Sequence, residues 1–188
     1  PIIISTGMSF LSEVEKAVQI ILENGCHQVA LLHCVSNYPA SEKDANLKAM
    51  HTMKQAFQLP VGYSDHTIGV EVTLAAVALG AQIIEKHFTL DKNLPGPDHQ
   101  ASLEPGELKQ LIKAIRRVEI ALGDGLKKPA PSEMENQATI RKSLFFKSSF
   151  AAGTKVTAEM IEAKRPAIGY PPDRLVEILG QELTYDVE

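Results

Sequence analysis

Four short apolar runs, each followed by a longer amphipathic stretch, restrict the fold of this chain more than any other feature. "PIIIST", "QVALLHCV", "LPVGYSDHT" and "AQIIEKHFTL" read as strands. The first helix is expected from Ser12 to about Asn24, with Ser12 as its cap, Glu15 completing a capping box and Gly25 ending it. The second runs roughly from Ala45 to Phe57, and the third is the Ala-rich "GVEVTLAAVALG". The fourth begins near Glu104 or Pro105 and ends at about Leu122. These are four consecutive βα units.

Continuous apolar strands alternating with helices imply a parallel sheet covered on both faces, as an open doubly wound sheet or as a barrel. No glycine-rich phosphate fingerprint follows the first strand, and polar residues cluster at the C-terminal ends of all four strands, as they do in a (β/α)8 barrel. A closed barrel takes about 250 residues, roughly twice what these units occupy. The expected fold is therefore α/β, with residues 1–123 forming the C-terminal half of a TIM barrel. The missing half is expected to precede Pro1, so that the chain reads as a fragment.

After Gly123 the texture changes. Residues 124–140, beginning "DGLKKPAPSEMENQ", read as a polar linker, and residues 141–188 give short β-like runs, a glycine turn and a brief capped helix at Thr157. A domain that small is marginal alone and is expected to dock on a partner surface.

Composition narrows the class. With 44% hydrophobic and 22% charged residues in 188, the chain can build a substantial core. The net charge of -4 comes without basic runs, which argues against nucleic acid or an anionic membrane as the main partner. No apolar segment is long enough to span a bilayer. Cys26 and Cys34 sit among apolar residues and read as buried thiols in a reducing compartment, which places the chain in the cytoplasm.

The strand ends carry the chemistry. Side chains alternate faces along a strand, so Ser64 and His66 point one way and Asp65 the other, while Glu85 and His87 share a face opposite Lys86. His66 and His87 lie one short βα unit apart, at the same rim of neighbouring strands. One histidine there is commonly only a hydrogen-bonded rim residue. Two in matched positions can hold a divalent metal with positions left open for substrate. Glu85 is placed to hydrogen-bond a substrate or to steady a ligand. Ser5, Thr6, Ser36 and Ser64 offer hydroxyls at three strand ends, suited to phosphate or carboxylate oxygens or to plain turn and cap duty. Asp98 overhangs the same mouth from the loop after the fourth strand, and Tyr38 could lend a hydroxyl or a stacking face. His27, His33, His51 and His99 have no matched partner and read as structural or solvated.

Six segments in order, "IISTGM", "LLHCVSNYPA", "LPVGYSDHTIG", "GAQIIEKHFTLDK", "GPDHQASLEP" and "KRPAIG", resemble the sialic acid synthase family over nearly the whole chain. The resemblance implies a TIM barrel joined by a linker to a C-terminal antifreeze-like (SAF) domain. It also implies condensation of phosphoenolpyruvate with N-acetylmannosamine and release of phosphate, using manganese or else magnesium or cobalt. His66 and His87 match the family's metal-binding histidines and, with Glu85, its catalytic set. Ser5, Ser36 and Ser64 match positions that contact phosphoenolpyruvate, although some relatives carry asparagine at Ser36. Glu85, Tyr38 and Asp98 match positions near the reacting centre and the amino sugar. Arg165 matches an arginine that reaches into the partner subunit's barrel and binds the N-acetyl group, which implies a domain-swapped homodimer.

Two departures follow from the same resemblance. The first strands, with an acidic residue and lysines that clamp phosphoenolpyruvate, have no counterpart in the chain, and the second domain stops short. Little or no activity is therefore expected of the 188-residue polypeptide alone. A legionaminic or pseudaminic acid synthase would use the same site with another amino sugar. A non-catalytic remnant is a further alternative, and retention of Ser64, His66, Glu85, His87 and Arg165 speaks against it.

Overall fold

In the computed structural model, which describes residues 1–188, strands β1 (Ile2–Ser5), β2 (Val29–Cys34), β3 (Val61–Asp65) and β4 (Ile84–Lys86) form one sheet in the order β1-β2-β3-β4. Every neighbouring pair is parallel. Helices α1 (Leu11–Glu23), α2 (Ala49–Phe57) and α3 (Glu71–Ala78) connect the strands, and α4 (Pro105–Leu122) follows the last. Sequential parallel order with four βα units is half the strand complement of a (β/α)8 barrel.

The sheet is not covered by helices on both faces. Val29, Leu31, Val61 and Tyr63 point to one side, where Val14 and Val18 of α1, Met50 and Met53 of α2 and Ala76 of α3 pack against them as the core. The register sets Cys34 beside Ser64 and Ser64 beside Glu85, so these three point to the opposite side. The two faces differ in chemistry: one is an apolar core, the other collects polar side chains at its C-terminal edge. Gly62 lies on that second face, where a side chain would collide with the Ile83 carbonyl and with Leu32.

Local details shift the expected helix starts. Helix α1 begins at Leu11, after an extended Phe10, and this leaves Ser12 inside the first turn while Val14 and Val18 are buried. Its cap is Phe10, whose backbone N–H donates to Glu13 Oε2 at 2.7 Å, so Ser12 and Glu15 do not form the expected box. Helix α2 starts four residues later than expected, since Asn46 adopts a left-handed backbone (φ 39°) that interrupts helical continuation. Cys26 is half-buried rather than buried, and both cysteines are free thiols. Burial pushes the Cys34 thiol pKa up, with the charge of Glu85 adding to the shift.

Residues 1–125 form one compact unit and 126–188 a second. The stretch 124–140, expected as linker, carries the one-turn helices α5 (Pro131–Met134) and α6 (Gln137–Ile140). Pro131 fits the first helical position, and Glu133 accepts the Ala130 N–H at 2.6 Å. In the second unit β5 (Ser143–Phe146) pairs antiparallel with β6 (Ile161–Lys164), and a last short helix α7 (Leu175–Ile178) follows. Val156 and Ile161 are its buried apolar residues. Ser143 is fully buried and donates to the Pro166 carbonyl at 2.7 Å. No helix of either unit is long and apolar enough to cross a membrane.

Candidate active site at the strand ends

The C-terminal ends of β2, β3 and β4 bring six of the nine residues matched through the family resemblance into one cluster. Ser64 Oγ donates to Glu85 Oε1 at 2.7 Å across the β3–β4 register. The same hydroxyl lies 3.4 Å from His66 Nε2. Its single proton is committed to Glu85, so this second contact is not a hydrogen bond from serine to a neutral imidazole. His66 Nδ1 lies 2.7 Å from the Val35 carbonyl oxygen. An oxygen that can only accept makes Nδ1 the protonated nitrogen and leaves the Nε2 lone pair available.

The His66 and His87 rings stand 5.2 Å apart, nearly perpendicular. Tyr38, from the loop after β2, covers both, with its ring 4.2 Å from that of His66 and 5.3 Å from that of His87. Asp98 Oδ2 lies 3.8 Å from His87 Nδ1. The long loop after β4 reaches this point because it folds back along the strand: Leu103 N–H donates to the His87 carbonyl, Thr89 N–H donates to the Leu103 carbonyl, and Lys92 pairs with Glu107 at the start of α4.

The other three candidates are placed differently. Ser5 ends β1 on the same face as Ser64, exposed. Ser36 packs at Gly7, where any side chain would run into Ser36 Oγ and Cys34 Sγ, so the glycine keeps the loops after β1 and β2 close together. Arg165 belongs to the second unit and is exposed there. Thr6 is spent on structure, since its buried hydroxyl donates to the Leu32 carbonyl at 2.9 Å. His33 and His99 are likewise engaged, with the Ala45 carbonyl and Thr89 Oγ1 respectively.

Sequence reasoning passed over the residues on the other side of the same strand ends. Asp65 and Lys86 form an ion pair of 2.9 Å, their side chains 0% and 4% exposed. Asp65 Oδ1 accepts from Thr67 N–H and Oγ1–H, and Oδ2 accepts from Thr73 of α3 as well as from Lys86. Lys86 Nζ also donates to the Thr67 carbonyl at 2.8 Å. Burial alone would raise the Asp65 pKa, but donors from Thr73, Lys86 and Thr67 outweigh it and hold the carboxyl below its usual range. The signal was present in the sequence: Asp65 and Lys86 have the same 21-residue separation as Ser64 and Glu85.

The donor chemistry suits a divalent cation. Two imidazoles from adjacent strands, one with its Nε2 lone pair exposed by the Val35 contact, are suitable nitrogen ligands. No third His, Cys, Asp or Glu joins the two imidazoles in a ligand cluster.

Residues 1–127 match the NeuB family. The chain is 51% identical to an N,N'-diacetyllegionaminic acid synthase of Campylobacter jejuni, over 97% of this chain and 55% of that protein. Against the protein of the same name from Legionella pneumophila it is 46% identical, covering 100% of this chain and 54% of the other. Among solved structures, an N-acetylneuraminic acid (sialic acid) synthetase from Leptospira borgpetersenii in complex with citrate superposes with a TM-score of 0.65 at 47% identity, covering 71% of this chain and 47% of that one. The chain spans about half the length of the curated relatives it matches.

Proposed function

The chain belongs to the NeuB family, and from that premise we propose that it carries the metal and sugar half of a nonulosonic acid synthase site. The reaction joins phosphoenolpyruvate to an open-chain N-acetylated amino sugar. C3 of the enol bonds to the aldehyde carbon, water adds at C2, and phosphate leaves to give a 2-keto sugar acid. The observation that carries this reading is the cluster of Ser64, His66, Glu85 and His87 on two adjacent strand ends, with Tyr38 and Asp98 closing over it.

His66 and His87 would hold a divalent cation, manganese before magnesium or cobalt, which would supply Lewis acidity toward the aldehyde oxygen. Glu85, oriented by the Ser64 hydroxyl, presents its carboxylate to the reacting carbons, and Asp98 accepts from sugar hydroxyls. Ser5, Ser36 and the Ser64 oxygen serve the phosphoenolpyruvate side. Residues 141–188 act as an antifreeze-like domain whose Arg165 binds the sugar's N-acetyl group in a partner subunit's site. The reaction then belongs to a cytoplasmic homodimer. N-acetylmannosamine is the first substrate to test. The 51% identity to a diacetyllegionaminic acid synthase favours a sugar with two acetamido groups as the second.

The test is phosphate release from phosphoenolpyruvate with each sugar and Mn²⁺, using a chain of the relatives' full length that contains these residues. Release should require both substrates and fall more than about a hundredfold in His66→Ala and in His87→Ala. Phosphate release that survives both substitutions, or that never occurs with any such sugar, would sink the proposal. The 188-residue chain alone should turn over little, because β1 and β4 each have a single neighbour in the sheet.

A further inference from the structure

We infer that the buried Asp65–Lys86 pair, on the far side of the sheet from the site, positions the His66 and His87 imidazoles relative to each other. Asp65 and Lys86 are register partners, and each immediately precedes one of the two histidines. The pair therefore ties the two strands together at the last point before both chains leave the sheet. Beyond it, only the side-chain contacts of the rim and the fold-back of the loop after β4 hold His87 near His66.

The network does more than join two strands. The Asp65 carboxylate receives four donors, two of them from Thr67 just past His66, and Lys86 closes the loop on the Thr67 carbonyl. The backbone on both sides of His66 is thus fixed. Its own carbonyl accepts Ala40 N–H at 2.8 Å, which brings in the loop that carries Tyr38. Thr73 adds α3 to the same carboxylate. No buried side-chain polar atom in the network lacks a partner, and the ion pair is almost entirely out of water. A satisfied network of this kind has one low-energy arrangement, because any displacement leaves a buried charge short of a partner. Lys86 and Asp65 are positioning residues: they touch neither the site face nor anything bound to it.

The inference deepens the metal reading above and rests on it for one of its two readouts. The experiment compares wild type with Lys86→Met, Thr73→Val and, as a control, Val14→Ala, which weakens the core behind the sheet without touching the network. Mn²⁺ affinity is measured by titration, and the ring nitrogens of His66 and His87 are observed by NMR of ¹⁵N-histidine-labelled chain. Lys86→Met and Thr73→Val should weaken Mn²⁺ binding about tenfold or more and shift both rings' signals. Val14→Ala should lower the unfolding midpoint and leave both readouts alone. If the network variants fold and match wild type in affinity and ring signals, or if Val14→Ala behaves as they do, the positioning role is overturned. If wild type binds no Mn²⁺, the metal reading fails and the ring signals decide the inference alone: shifts in the network variants uphold it, and unchanged rings reject it. Should Lys86→Met fail to fold, Thr73→Val, which removes one donor and no charge, decides on the same terms.

Discussion

A tyrosine two residues before the buried aspartate reports on the core more directly than any site residue. Tyr63 is 1% exposed, and its phenol is pushed up to about 12 by burial, with the charges of Asp65 and Cys34 adding to the effect. The folded chain therefore keeps this proton after the unfolded chain has lost it near pH 10. Stability from this group is complete below about pH 10 and is lost as pH rises toward 12, at up to about 1.4 kcal/mol per pH unit. Alkaline titration followed by tyrosinate absorbance should show one late step near pH 12 that Tyr63→Phe removes; a profile unchanged by that substitution would contradict this. His66 shows what a residue's chemistry owes to distant backbone. Its spacing from His87 was readable along the chain, whereas its tautomer depends on the Val35 carbonyl, 31 positions away.

Among the elements, α1 shows one local capping signal replaced by another. Ser12 and Glu15 make a plausible box in isolation, but the chain turns helical one residue after an extended Phe10, and Glu13 returns to the Phe10 N–H as the box. Glu13→Ala should then cost about 0.5–1 kcal/mol in urea unfolding, while Ser12→Ala stays within a few tenths. A larger loss at Ser12 would restore the cap read from sequence. Helix α4 agrees with expectation because its start is written in chemistry that tertiary packing does not override: Pro105 at the first position and Glu107 returning to the Glu104 N–H at 2.9 Å. Strand β4 shrinks to three residues because the loop after it, not a further strand, supplies the next hydrogen bonds through Leu103.

At the scale of the whole molecule, the chain passes from one unit to the other through an exposed stretch: residues 121–136 are all exposed, and the division falls between Gly125 and Leu126. Brief trypsin treatment should cut first after Lys127, since the next lysine is followed by Pro129, and should leave the larger unit with its helical circular dichroism. Early cuts within α2 or α4 would show that residues 1–125 do not hold together as drawn. The amino-acid sequence by itself determined the alternation of strand and helix, the parallel sheet and the pairing of His66 with His87. These follow from apolar periodicity and from a constant offset between neighbouring strands, both of which are local or repeat along the chain. Only the tertiary structure decided which face carries helices, how far each helix extends, how the loop after β4 brings Asp98 to His87, and that Asp65 and Lys86 lock the strand ends from behind. Each of those depends on groups brought together across many residues, where the free energy of burial and of satisfying a buried charge outweighs local preference.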